Sequence, residues 1–209
     1  MWYAPTLKFI PDSSHKFYFE QFLAKGITVA GYNQGDVRGS DRASTKFTHF
    51  YDAVVARGFS SKPILLGQSR GGFTMLNWAY RNPACVGGFA GIYPVCNITS
   101  WPLKNARQSV LAEYGLSESE ILHELDKLNP IENLQELAKN NVPLYLVYGD
   151  NDLVVPHSEN SLVVKENYER LGGSVEVKLV PGSGHTGGPF YFNEQSLADF
   201  IIRHALNAR

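Results

Sequence analysis

The sequence predicts an α/β protein built on a doubly wound, mostly parallel sheet of about six strands. Three observations carry that prediction. Short apolar or β-branched runs alternate with amphipathic runs at helical spacing along the chain, the pattern of a parallel sheet with helices on both faces. One strand-to-helix junction, Gly67-Gln68-Ser69-Arg70-Gly71-Gly72, is a tight glycine-framed turn that lifts a serine hydroxyl above the sheet edge. The last two candidate strands run into loops that carry an aspartate and a histidine.

In chain order, Trp2-Tyr3-Ala4-Pro5-Thr6-Leu7 reads as a strand passing into a loop, because Pro5 cannot donate within a central ladder. Ser13-Ser14 caps a helix with Phe17, Phe19, Phe22 and Leu23, which stops at Gly26. Ile27 to Tyr32 is a short β-branched strand, followed by a loop over 33–41. A helix over about 43–56 places Phe47, Phe50, Tyr51 and Val54 on one face and ends at Gly58. The strand Pro63-Ile64-Leu65-Leu66-Gly67 enters the serine turn. A helix then carries Phe73, Met75, Leu76 and Ala79 to Asn82-Pro83.

After a strand near 86–93, the stretch from about Ile98 to Lys139 shows helical signals only. Ser117-x-x-Glu120 is a capping box that opens a run through Ile121, Leu122, Leu125 and Leu128, and Leu134, Leu137 and Ala138 continue beyond Pro130. This is an inserted helical segment within a single domain over 1–209. Strand character returns at 142–148, a helix spans about 159–171, residues 175–180 alternate like a half-buried edge strand, and Leu197 to Leu206 forms a closing helix.

A chain of 209 residues suits one domain with a sizeable core. A net charge of −1 gives no electrostatic footprint for nucleic acid or an anionic membrane. No apolar run approaches the roughly 20 residues that span a bilayer. Met1 to Lys8 lacks the basic start and apolar core of a signal peptide, so the expected location is the cytoplasm. Cys85 and Cys96 flank the strand near 86–92, whose length holds them too far apart for a disulfide, so both are expected as free thiols. The histidines and acids show no metal-ligand spacing.

In a doubly wound sheet the ligand site lies beyond the C-terminal strand ends. There the sequence places Ser69, then Asp152 in Gly149-Asp150-Asn151-Asp152, then His185 in Gly182-Ser183-Gly184-His185. A serine hydroxyl is a poor nucleophile unless an imidazole takes its proton, and the imidazole needs a carboxylate to hold its tautomer. Ser69 is thus the expected nucleophile, His185 the base and Asp152 the orienting acid, while Asp150 shapes the turn. The amide of Arg70, at a helix N-terminus, is the expected first donor to a developing oxyanion.

These elements, with Val155-Pro156, resemble the α/β-hydrolase superfamily over nearly the whole chain. Within it the sequence is similar to the prolyl-oligopeptidase-like and dienelactone-hydrolase-like esterases, whose Arg-Gly-Ser loop has its counterpart in Arg38-Gly39-Ser40. The resemblance implies an α/β-hydrolase fold and a serine hydrolase that forms an acyl-enzyme without a cofactor, acting on small to medium carboxylic esters. Rival readings are a peptidase or amidase of the same fold, and an inactive binding or scaffold protein that keeps it. The resemblance places the second oxyanion donor after the first strand, at the amide of Thr6 or Leu7, since Pro5 has none.

The resemblance also makes residues 98–139 a lid or cap. Tyr93 and Trp101, with Leu103, Tyr114 and Leu116, are its candidate pocket residues. Arg38 and Arg70 are candidates for a substrate carboxylate, against the plainer outcome that Arg38 pairs with Asp36 or Asp41. Finally, the superfamily usually places two further strands before the one at Trp2. Their lack here would leave strand 27–32 as an uncovered edge, so either the chain is a fragment or another copy covers that edge, and a homo-oligomer covering it is expected.

Overall fold

The computed structural model describes residues 1–4, 13–33, 35, 38–185 and 188–207. The elements run β1 (Trp2–Ala4), α1 (Lys16–Ala24), α2 (Asp41–Val55), β2 (Ile64–Gln68), α3 (Arg70–Arg81), β3 (Gly88–Ile92), α4 (Trp101–Asn105), α5 (Arg107–Tyr114), α6 (Glu118–His123), α7 (Leu125–Leu128), α8 (Gln135–Lys139), β4 (Leu144–Gly149), α9 (Ser161–Arg170), β5 (Val175–Val180), α10 (Pro189–Phe192) and α11 (Gln195–Asn207). The five strands form one parallel sheet in the order β1-β2-β3-β4-β5.

Alternation along each central strand divides the apolar side chains between two faces. Leu65, Phe89, Leu144, Leu146 and Tyr148 pack with Phe47 of α2, Trp78 of α3 and Tyr168 of α9. Ile64, Leu66, Ala90, Ile92, Tyr145 and Val147 pack on the opposite face with Tyr18 and Phe22 of α1 and Phe200 and Ile201 of α11. Strands buried on both faces read as continuous apolar runs, which is how 64–66 and 144–148 are written. The expected capping box is present on α6, with Ser117 and Glu120 bonding each other's backbone amides.

The expected strand over 27–32 is absent, so among the described residues the sheet has five strands rather than six. The segment meets the sheet edge at one point, where the Ala30 N–H donates to the Met1 carbonyl at 3.1 Å and the Met1 amino group donates to the Thr28 carbonyl at 2.9 Å. Ile27 instead turns inward from the end of α1, its N–H bonded to the Phe22 carbonyl at 2.9 Å and its side chain packed among Tyr18 and Phe22. β1 is only three residues long, which gives a neighbouring segment little ladder to extend. The half-buried alternation expected over 175–180 is also lost: Val177 and Leu179 are both exposed. Among the described residues β5 pairs on one side only, and its two ends, Val175 and Val180, are what pack into the core.

Residues 98–139 hold the short helices α4 to α8, joined by turns, and they do not pack as one body. Ile98, Leu103, Val110, Ile121 and Leu128 form a separate cluster with Phe73 of α3, Val95 and Val155. Leu134 and Leu137, by contrast, join the core beneath the sheet.

Candidate active site

Ser69 sits between β2 and α3 at φ 49°, ψ −121°, a backbone conformation that costs a non-glycine residue of order 1–3 kcal/mol. The surrounding chain imposes it. The Ser69 N–H donates to the Ile92 carbonyl at 3.0 Å, and its carbonyl accepts from the amides of Gly72 and Val95 at 2.9 Å each. The turn also needs close backbone approach. A Cβ on Gly67 would lie 2.6 Å from Gly72 Cα, and one on Gly72 would lie 2.4 Å from Pro94 Cβ. Gly67 and Gly72 are therefore the positions where a side chain is excluded.

The loops after β4 and β5 meet at this serine. Ser69 Oγ lies 2.9 Å from His185 Nε2, and His185 Nδ1 lies 2.7 Å from Asp152 Oδ2. An ionised carboxylate only accepts, so Nδ1–H donates to Asp152 and Nε2 is left to accept from the serine O–H. The Asp152 side chain is fully buried. Its other oxygen accepts from the amides of Val154 at 3.0 Å and Val155 at 2.8 Å, which fixes the carboxylate's rotation and supports its charge. Asp150 shapes the turn: its Oδ1 accepts from the Gly182 amide at 2.6 Å, tying the acid loop to the histidine loop.

Tyr93, at φ 34°, leads away from β3 with its ring 4.6 Å from that of His185. Gln68 Nε2 donates to its hydroxyl at 2.6 Å. Tyr191 of α10 packs edge-on to Tyr93 at 4.8 Å and donates its own hydroxyl to the Gly184 carbonyl at 2.9 Å. Burial, with the Asp152 charge adding to it, pushes the Tyr191 hydroxyl up to about 12, so it remains a donor at neutral pH. Gln68 and Tyr191 are absent from the sequence-based candidates. The apolar tetrapeptide Pro189-Phe190-Tyr191-Phe192 close behind the histidine was the available signal for the second.

Trp101 lies at the start of α4, with the guanidinium carbons of Arg38 and Arg70 at 5.2 and 5.4 Å from its ring centroid. Asp41 pairs with Arg81 at 3.0 Å. Asp36, the other proposed partner of Arg38, lies outside the described residues, as do Thr6 and Leu7, the expected second oxyanion donors. Cys85 and Cys96 are both free thiols. Among the described residues no three histidines, cysteines or acids converge as a metal site, and no described helix is long and apolar enough to cross a membrane.

A parallel sheet with a strained serine turn, flanked by acid and histidine loops at successive strand ends, defines the α/β-hydrolase fold. Solved structures of that fold superpose closely. An S-formylglutathione hydrolase from Agrobacterium tumefaciens aligns with 100% of this chain and 83% of its own at TM-score 0.75 and 13% identity. A carbohydrate esterase from gut microbiota aligns with 98% of this chain and 85% of its own at TM-score 0.71 and 15% identity. A puromycin hydrolase aligns with 99% of this chain but 34% of its own, at TM-score 0.75 and 16% identity. The prolyl oligopeptidase family model matches residues 32–204, and the chain belongs to that family of hydrolases. No curated protein sequence matches it significantly.

Proposed function

We propose that the protein is a serine hydrolase that cleaves carboxylic esters of small to medium substrates through an acyl-enzyme, without a cofactor. The observation that carries this reading is the hydrogen-bonded chain from Ser69 Oγ through the His185 ring to the buried Asp152, at 2.9 and 2.7 Å. In it, His185 Nε2 takes the Ser69 proton as Oγ attacks the ester carbonyl carbon, and Asp152 stabilises the imidazolium through Nδ1–H. The carbonyl π-electrons move onto oxygen, where the Arg70 amide and that of Thr6 or Leu7 stabilise the charge. Collapse expels the alcohol, which takes the proton from Nε2 and leaves Ser69 acylated. A water then gives its proton to Nε2, attacks the acyl carbon and releases the acid, and the proton returns to Oγ.

Residues 98–139 serve as the lid in this reading, supported by the packing of Ile98, Leu103 and Val110 on Phe73 of the serine helix and Val155 of the acid loop. Tyr93 and Trp101 border the pocket. Self-association over the 27–32 segment belongs to the same proposal, supported no longer by an open strand but by an apolar groove of about 560 Å³ there, lined by Ile27, Ala30, Phe50, Val54 and Phe59. Sedimentation velocity that finds only monomer at micromolar concentration would remove that part.

Family membership favours one second reading, cleavage of amides or peptides. Steady-state kinetics on p-nitrophenyl butyrate and on a matched peptidyl p-nitroanilide separate the two. The ester reading expects the larger kcat/KM on the ester, with Ser69→Ala and His185→Ala each lowering kcat by at least about 10⁴ and Asp152→Asn by a similar factor. Variants as active as the wild type would refute both readings. A larger kcat/KM on the anilide would select the second.

A further inference from the structure

We infer that Asn160 is a positioning residue for the reaction. Its side-chain amide sets the separation between the loop that carries Asp152 and the turn that carries Ser69, and so the span that the His185 ring must bridge. This rests on the serine hydrolase reading and adds a residue to it.

Two segments that follow neighbouring strands hold the two ends of the hydrogen-bonded chain. After β3, the Val95 N–H donates to the Ser69 carbonyl at 2.9 Å, and Cys96 is the next residue. After β4, the Val155 N–H donates to Asp152 Oδ1 at 2.8 Å, and Pro156 is the next residue. Asn160 joins those two neighbours. Its Oδ1 accepts from the amides of Cys96 at 2.9 Å and Asn97 at 3.2 Å, while its Nδ2 donates to the Pro156 carbonyl at 2.9 Å. A path of backbone and hydrogen bonds therefore runs from the Asp152 carboxylate through Asn160 to the Ser69 backbone, separate from the path through His185.

The partners dictate the residue type. Backbone amides, which only donate, face one end of the side chain, and a backbone carbonyl, which only accepts, faces the other. A side-chain amide supplies both roles, and these partners settle which end is oxygen. Aspartate would set an oxygen against the Pro156 carbonyl, and an apolar side chain would leave the Cys96 and Asn97 amides without this acceptor. Glutamine adds a methylene to a side chain that is fully buried.

The surroundings hold Asn160 in place. It stands at the N-terminal boundary of α9, where its carbonyl accepts from the Val164 N–H at 3.0 Å. The Ser100 hydroxyl lies 3.1 Å from the same Oδ1, and Asn97 Nδ2 returns a bond to the Glu159 carbonyl at 3.2 Å. Val95 and Val155 pack in one apolar cluster, but apolar contact is non-directional, so the amide bonds are what fix the spacing. Asn129 offers a contrast. It is also buried, yet its Oδ1 accepts from the Ile98 N–H and its Nδ2 donates to Asn97 Oδ1, each at 3.0 Å, so these bonds stay within 97–98.

The test is steady-state kinetics on p-nitrophenyl butyrate for the wild type, Asn160→Ala, Asn160→Asp and Asn129→Ala, at a temperature where circular dichroism shows each folded. Asn160→Asp keeps an acceptor for the two amides and loses the donor to Pro156, so it is the variant to read should the alanine not fold. A misplacement near 1 Å costs roughly 100-fold, and both Asn160 variants should lose about that in kcat. Acylation and deacylation use the same histidine and slow together, so KM should stay within about threefold. Asn129→Ala should lower Tm while keeping kcat within about threefold of wild type. Unchanged kcat in the Asn160 variants, an equal loss in Asn129→Ala, or a loss carried by KM alone would overturn the inference. Should the wild type cleave neither the ester nor a peptidyl p-nitroanilide, the hydrolase reading is what fails, and proton NMR then decides the positioning role. The downfield resonance of the His185 Nδ1–H, assigned by its loss in His185→Gln, should vanish in Asn160→Ala and persist in Asn129→Ala. Its absence from the wild type, or its persistence in Asn160→Ala, would refute the role.

Discussion

Gly149→Ala probes the contact on which the candidate site depends. Gly149 ends β4, pairs with Val180 of β5, and lies against Ser183 of the histidine loop. A Cβ there would stand 2.0 Å from the Ser183 carbonyl oxygen and 2.2 Å from the Tyr191 hydroxyl, whereas real Cβ contacts essentially never fall below 3.0 Å. The two loops must therefore separate by at least about 1 Å, the difference between 3.0 and 2.0 Å. Ser183 is two residues from His185, so a shift of that size directed away from Ser69 lengthens the 2.9 Å bond at Nε2 past hydrogen-bond range. A misplacement near 1 Å costs roughly 100-fold in rate, and forced overpacking costs about 1–3 kcal/mol in stability. The assay is kcat/KM on p-nitrophenyl butyrate together with a thermal melt. The prediction is a loss of about 100-fold with a Tm lowered by roughly 2–12 °C. Gly172→Ala is the control: at φ +78°, with nothing within 4 Å, it strains the end of α9 far from the site and should lower Tm while sparing kcat/KM. Activity within about twofold of wild type in Gly149→Ala would refute the reasoning.

Two further predictions concern the rest of the molecule. Cys96 is fully buried and its thiol is pushed up by that burial, whereas Cys85 is half-buried; iodoacetamide followed by peptide mapping should label Cys85 in the folded protein and Cys96 only after denaturant is added. His204 packs on Phe200, and burial with the neighbouring Arg203 holds its imidazole below the ordinary 6.5. The unfolded chain then binds that proton more readily than the folded one, so the associated stability is present above pH 6.5 and is lost as pH falls through the lowered value. Tm measured from pH 7.5 to 5 should fall less steeply in His204→Gln than in the wild type, and identical slopes would refute the assignment.

The positions of Ser69, Asp152 and His185 were legible because each follows a strand on a glycine-rich loop, and a parallel sheet brings successive C-terminal strand ends to one side. Ile64 to Leu66 and Leu144 to Tyr148 were equally plain, since strands covered on both faces are apolar throughout. Ile27 to Tyr32 misled because β-branched composition describes a residue's fit to a pleated surface, while pairing needs a neighbour, and three-residue β1 offers almost none. Val175 to Val180 has the alternation of a half-covered strand, yet coverage depends on where the helical layers end. Tyr191 and the meeting of Arg38, Arg70 and Trp101 depend on contacts between distant segments. Local spacing carries no record of them.

The central claim is that Ser69 becomes acylated during turnover. The most direct measurement is acid quenching of the protein within milliseconds of mixing with p-nitrophenyl acetate, followed by intact mass and peptide mapping. The account predicts one acetyl group per chain on the peptide containing Ser69, formed with a burst of nitrophenolate and absent from Ser69→Ala. Ester turnover with no adduct on Ser69, or an adduct that persists in Ser69→Ala, would contradict it.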